Sequence, residues 1–266
     1  MNKIIILMYH ALYEKETELA AIAAEDRPYA ISVASFQRHL EYITRQGIPI
    51  ISPDLLELKA PENGIQPGVL LTFDDGHVSN YHYAYPLLRE RGIKAIFFVT
   101  SDFINFKPGF CTWDMIRELA KEGMVIGSHG KTHCFFENLN PTELEFELCH
   151  SREKIEQHIS RPVTMLSFPG GRFHHSQLKT ARAVGYQWLF SSRVGVHYSG
   201  DFENRIPSVL SRIAVRARLS NLEFSNLIQA TTLGILKAQF TAGIKELLRW
   251  IIGNYFYHAI YQRFFG

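Results

Sequence analysis

Short apolar runs alternate with stretches of mixed polarity along most of the chain. Seven runs stand out: Ile4–His10 (IIILMYH), Ile48–Ile51 (IPII), Val69–Asp75 (VLLTFDD), Lys94–Thr100 (KAIFFVT), Met124–His129 (MVIGSH), Thr164–Gly170 (TMLSFPG) and Gln187–Ser192 (QWLFSS). Most are continuously apolar rather than alternating, as strands buried on both faces of a parallel sheet must be. Between them, helical periodicity predicts amphipathic helices over Phe36–Gln46, Tyr83–Arg91, Asp114–Lys121, Thr142–Ile159 and Gln177–Val184. Pro141 opens the fourth helix, where its missing N–H has no partner to lose, and Gly47, Gly92, Gly123 and Gly185 stop the other four. A strand–helix alternation repeated about six times predicts an α/β protein, either a (β/α) barrel or a doubly wound sheet.

From about Asn221 the strand signal disappears and the pattern predicts one or two amphipathic helices. The expected organisation is an α/β barrel over residues 1–220 and a helical extension over 221–266.

Composition narrows the class. A chain of 266 residues buries a substantial core, and one α/β barrel of this length is common. Its 46% hydrophobic and 20% charged residues exclude a disordered or fibrous chain. Cys111, Cys134 and Cys149 share no C-x-x-C spacing, and their odd number argues against a disulfide framework and for a reducing compartment. The first residues carry one lysine and an apolar run shorter than the ~7 residues of a secretory signal, and no window reaches the ~18 of a spanning helix. The expected location is therefore cytoplasmic. A net charge of +2 leaves no nucleic-acid footprint.

That excess charge is concentrated. Residues 221–266 hold Lys237, Lys245, Arg249 and Arg263 against Glu223 and Glu246, so the rest of the chain balances to zero. Around Arg249, His258 and Arg263 lie Trp250, Tyr255, Phe256, Tyr257, Tyr261, Phe264 and Phe265. The two arginines are too close to bracket the ~20 residues of a bilayer span. Aromatic rings flanked by cations suit a helix lying in the headgroup region, so the expectation is peripheral membrane contact through residues 233–266. A helix packed on the barrel or at a dimer contact is the competing reading, and the oligomeric state stays open.

The candidate chemistry sits at strand ends. Asp74 and Asp75 close one predicted strand, and His129 closes another, with His133 four residues on. Each is ordinary turn chemistry alone. Together, at the C-terminal ends of different barrel strands, they face one mouth. Imidazole nitrogens with a carboxylate oxygen make a borderline-soft site suited to zinc.

These residues carry a resemblance. TFDDG, SHGKTH and SFPGG, in that order, resemble the first three motifs of the polysaccharide deacetylase family (carbohydrate esterase family four). The flanks ILMYHAL, GIKAIFFVT, LAKEGMVIGSH, VGYQWLFSSRVGV and LSRIAV agree, so the resemblance runs from about Lys3 to Val215. It implies a distorted (β/α) barrel of about seven strands with a divalent metal at its mouth, zinc or else Co2+, Mn2+ or Ni2+. It implies Asp75, His129 and His133 as metal ligands and Asp74 as general base. The activity implied is hydrolysis of the N-acetyl group of an amino sugar, in a glycan or a lipid-linked intermediate of polysaccharide biosynthesis. Deformylation or another amide hydrolysis on a lipid-linked sugar, and a barrel that binds sugar without turnover, are the alternatives.

The sequence departs from the family pattern twice. Where many members have an arginine that orients the base, Ser167 or Phe168 stands, with Gly170 near the position of the oxyanion-binding backbone donor and Arg172 expected to compensate. No late L-x-x-x-H motif supplies a general acid. His10, His174, His175 and His197 are candidates, and His10, closing the first strand, is preferred. Arg193 and Arg212 match basic positions of the subgroup this chain most resembles and are expected to hold a carboxylate or phosphate of the substrate. Trp113 is expected either to stack on a sugar or to sit in the core.

Overall fold

The computed structural model describes residues 3–57, 65–202, 208–231 and 234–240. At its centre are β1 (Lys3–Tyr9), β2 (Gly68–Phe73), β3 (Ile96–Val99), β4 (Val125–Ser128), β5 (Met165–Ser167), β6 (Trp188–Phe190) and β7 (Ile213–Ala214). They lie in the order β7-β1-β2-β3-β4-β5-β6, every pair parallel, with Ile4 opposite Gly68 and Tyr9 opposite Phe73 in the longest ladder. The sheet curls until its ends meet. The Leu210 amide donates to the Leu189 carbonyl on one side, and the Val215 amide donates to the Met8 carbonyl on the other. The architecture is the distorted seven-stranded α/β barrel expected.

Period-2 alternation explains why the strands read as continuous apolar runs. Ile4 and Ile6 of β1 join Leu70, Ile96, Phe98, Val125, Met165, Trp188 and Phe190 in an inner core, while Ile5, Leu7 and Tyr9 join Val69, Leu71, Phe73 and Phe97 in an outer one. Successive side chains point to opposite faces, so a barrel wall covered by helices needs both sets apolar. The inner space is tight: a Cβ on Gly127 would lie 2.5 Å from the Phe98 ring, so only glycine lets that ring fill the barrel.

The outer layer consists of α1 (Val33–Arg45), α2 (Tyr85–Glu90), α3 (Trp113–Lys121), α4 (Pro141–Ile159) and α5 (Gln177–Val184). Each matches a predicted segment to within a few residues. Ser32, Thr112 and Asn140 cap α1, α3 and α4 by accepting from an amide three residues on. The four stopping glycines all sit at positive φ.

One expectation needs correction. Ile48–Ile51 is not a barrel strand but a single bridge, in which the Val69 amide donates to the Pro49 carbonyl and the Ile51 amide to the Val69 carbonyl. Pro49 has no N–H with which to extend a ladder. The seventh strand is instead β7, only two residues long and too short for any periodic signal.

The helical extension does not begin as a separate body. Helix α6 (Asn221–Ile228) buries Phe224, Leu227 and Ile228 in the outer core, with Phe224 stacked on His39 at 3.8 Å. Residues 234–240 are also helical, and the aromatic stretch 249–265 lies outside the described residues. Among the described residues no helix is long and apolar enough to cross a membrane.

Candidate active site

The strand parity that fills the barrel also builds its mouth. Running on past Ile6, Leu70, Val125, Met165 and Leu210, the inward positions become His10, Asp74, His129, Ser167 and Arg212. The same alternation that sends apolar side chains inward lower down sends polar ones inward at the C-terminal rim.

Asp74 and Asp75 diverge because one continues the strand and the other leaves it. Asp74 points inward, 2% exposed, with its amide donating to the Tyr9 carbonyl. Asp75 takes φ +75°, a left-handed conformation that Asp tolerates better than most residues, and turns towards the fourth strand's loop.

Arg212, fully buried, grips Asp74 in two parallel bonds: Nη1 donates to Oδ1 and Nη2 to Oδ2, both at 2.7 Å. Nη2 also donates to Ser167 Oγ, and that hydroxyl donates to Asp74 Oδ2 at 3.1 Å. Nη1 further reaches Thr72 Oγ1, and Nε the Ser191 carbonyl. Such a fork on a carboxylate is the geometry guanidinium is shaped for. Burial by itself would push the Asp74 carboxyl up, but the Arg212 charge and its hydrogen bonds hold it below the usual value.

Asp75 faces a different set. Its Oδ1 lies 3.2 Å from His129 Nε2 and 3.2 Å from His133 Nε2, yet this buried oxygen accepts no hydrogen bond. The three ligand atoms all fall within 4.8 Å of one another. His129 Nδ1 lies 2.9 Å from the Ser167 carbonyl, which can only accept, so Nδ1 carries the proton and Nε2 presents its lone pair to the cluster. Burial opposes the charged form of Asp75, but His129 and His133 beside it depress its carboxyl well below the ordinary range. At His133, burial pulls the imidazole down while Asp75 pulls it up, and the net is a raised pKa.

The loop that delivers His133 is anchored by a residue with no motif to announce it. Glu147, on α4 and 5% exposed, accepts at one oxygen from the Lys131 amide (2.7 Å), the Thr132 amide (2.6 Å) and the Thr132 hydroxyl (3.0 Å). This fixes the turn through which His133 reaches φ +66°.

His10 also faces the mouth. Its ring lies 4.8 Å from Tyr29, its carbonyl accepts from Asn80 Nδ2, and its buried Nδ1 has no partner. Asn80 opens a π-helical turn, Asn80–Ala84, a distortion frequent at functional sites. Burial lowers the His10 pKa, against the pull of Asp75 and Asp74. Of the other candidate acids, His197 pairs with Ile4 at the foot of β1, at the end of the barrel opposite the mouth. His174 lies on the Glu137 carbonyl, and His175 is exposed.

The remaining expected site residues divide. Gly170 sits exposed at φ +61° in the turn Pro169–Gly171 at the mouth. Arg172 pairs with Glu137 at 3.1 Å and lies over Phe135, while Arg212 holds Asp74, the carboxylate that Arg172 was expected to orient. Arg212 is thus engaged inside the protein, and Arg193, exposed over Phe173, remains at the rim. Trp113 is 3% exposed and stacked on His158 at 4.1 Å, which is the core alternative rather than the sugar-stacking one. The inward parity that places Ser167 and Arg212 becomes readable only once the short strands beside them are assigned.

Comparisons agree with this geometry. Residues 62–189 match the family profile described as polysaccharide deacetylase. The Bacillus subtilis (strain 168) protein YxkH, which bears the name of a polysaccharide deacetylase, is 29% identical over 195 residues, 73% of this chain and 66% of its own length. The Bacillus cereus peptidoglycan-N-acetylglucosamine deacetylase is 28% identical over 125 residues, 47% of this chain and 56% of its own length. The chain thus spans less than two thirds of either curated relative. In fold, the Streptococcus pyogenes deacetylase PplD superposes with a TM-score of 0.72 at 24% identity, covering 85% of this chain and 97% of that one. IcaB from Ammonifex degensii gives 0.70 at 23%, covering 90% and 98%. The profile match over residues 62–189, the three motifs in order and the barrel that sets them at one mouth all liken this chain to the polysaccharide deacetylase family.

Proposed function

We propose that the barrel is a metal-dependent hydrolase that removes the N-acetyl group from an amino sugar within a glycan. The observation that carries the reading is the pairing of a satisfied buried carboxylate, Asp74, with a buried, unsatisfied one, Asp75, beside two imidazoles. The donor set fits a divalent ion: one carboxylate oxygen without a hydrogen-bond partner and two Nε2 atoms converge, and His129 has its tautomer set by Ser167. An ion held there would supply the positive charge that acidifies a water, bringing its pKa down towards ~7, and polarises the acyl oxygen.

The chain's own residues supply the rest. Asp74 keeps a lone pair on Oδ1, which accepts only one hydrogen bond, and takes the proton of the attacking water there. Arg212 and Ser167 keep that carboxylate ionised and oriented. The Gly170 amide serves as the backbone donor to the developing oxyanion. As the amide C–N bond breaks, the proton that Asp74 took from the water passes by way of His10 to the leaving nitrogen, giving acetate and the free amine. Zinc is the leading ion, with Co2+, Mn2+ and Ni2+ as substitutes.

The reading extends to a lipid-linked intermediate met at the inner face of a membrane, through peripheral contact by residues 233–266. Flotation of the full chain with anionic vesicles tests that extension, and lack of partitioning removes it. For the activity, bound metal and acetate release from N-acetylglucosamine oligomers are measured together. Stoichiometric metal with chelator-sensitive acetate release is expected. Metal-free protein with full activity overturns the reading.

A further inference from the structure

The rim of the mouth carries cations seated on aromatic rings. On the connection after β3, the Lys107 ammonium lies 3.9 Å from the Phe103 ring centre and 4.6 Å from that of Phe110. After β6, Arg193 lies 5.1 Å over Phe173. After β7, Arg216 lies 5.1 Å over Tyr29. None of these three pairs with a carboxylate among the described residues.

Each cation stands close to a residue of the site. The Phe103 ring lies 5.9 Å from His133, and the Tyr29 ring 4.8 Å from His10. The Arg193 carbonyl accepts the Arg212 amide. The nearby rim carboxylates are largely neutralised: Asp102 is clasped by Lys131 and Lys154, and Glu137 by Arg172. Asp26 faces Asp75, His133 and Lys107, with the exposed Glu25 beside it.

A neutral sugar uses an aromatic ring by laying its C–H face on it. Here cations already lie over those faces. Stacking also restrains a long side chain, so less freedom is lost when its charged head meets an anion. The rim therefore offers charge rather than open rings to whatever flanks the reacting sugar. Resting on the deacetylase reading above, we propose that the glycan this barrel selects is anionic, carrying carboxylates or phosphates next to the acetamido sugar, and that Lys107, Arg193 and Arg216 recognise them.

Binding and acetate release are measured in parallel with three probes: chitotetraose, the hyaluronan tetrasaccharide that alternates N-acetylglucosamine with glucuronate, and N-acetylglucosamine 1-phosphate. At low salt the acidic tetrasaccharide is expected to bind about tenfold tighter than the neutral one, as two or three exposed charge contacts provide. Added salt should shrink that ratio in the unmodified protein. The double variant Lys107→Gln/Arg216→Gln, with thermal stability checked, should bring it towards one. A 1-phosphate that gains where the uronate does not places the recognised charge on phosphate. Charge preference without acetate release supports the anionic rim and overturns the deacetylase reading alone. Acetate release with equal binding of chitotetraose and both acidic probes, or a preference unmoved by salt and substitution, overturns the anionic rim alone.

Discussion

Asp74 and Asp75 are adjacent in sequence yet belong to two regions built on opposite principles. Around Asp74 each carboxylate oxygen is bonded, and a buried arginine cancels its charge. Around Asp75 a buried oxygen is left without a hydrogen bond, on a backbone at positive φ, with two imidazoles at 3.2 Å. The first arrangement stabilises one ionisation state. The second leaves unsatisfied the group that a cation would satisfy. A carboxylate that must accept and release a proton needs a fixed orientation, whereas one that must hold a metal needs a free lone pair.

The sharpest way to break the comparison is to empty the open region. His129→Ala or His133→Ala should abolish both metal binding and turnover. Full metal occupancy in either variant, by elemental analysis, would show that the cluster is no ligand set. In the closed region, Asp74→Asn should keep the metal and lose turnover by roughly 10²–10⁴. Near wild-type rates at neutral pH would reduce Asp74 to a turn residue. Arg212→Met strands a buried carboxylate, so denaturant unfolding should register a loss of roughly 3–5 kcal/mol. A change within about 0.5 kcal/mol would mean that Asp74 does not depend on this partner.

Smaller effects sharpen the open region. Glu147→Leu removes the acceptor for the Lys131 and Thr132 donors and should weaken metal affinity about 10–100-fold, the range of outer-shell losses. Glu147→Gln, which keeps an acceptor oxygen, should recover most of it. Equal loss in both variants would point to charge rather than turn geometry. The smallest effect is with pH. His133 is raised in the metal-free site by Asp75, against burial, so below its pKa a proton competes with the metal. Affinity should fall about tenfold per unit as the pH drops below that raised value and level off above it. A titration flat from pH 5 to 8 would exclude His133 as a ligand.

The open region was legible in the linear sequence and the closed one was not. Asp75, His129 and His133 fall within local motifs at strand ends, where parallel-sheet topology puts them at one mouth whatever the details of packing. Asp74, by contrast, depends on Ser167 and Arg212, 93 and 138 residues away. Arg212 sits beside a two-residue strand, with too few positions for any period to register, and its amide is tied to Arg193 across the seam where the sheet closes. Closure is a property of the whole sheet, and no stretch of it announces which residue will fill the gap.

The helices and six of the seven strands follow from pattern alone, because two-sided burial forces continuous apolar runs and a helix must turn one face inward. The exception shows the limit: Ile48–Ile51 has a strand's composition, but Pro49 leaves it only a bridge. Trp113 could have been read either way, and the decision lay with His158, 45 residues on, whose ring covers it. Composition thus determined which side chains were available for burial, base chemistry and metal ligation. The tertiary structure decided which carboxylate would be paired and which left open, because that depends on contacts between chain segments brought together only when the barrel closes.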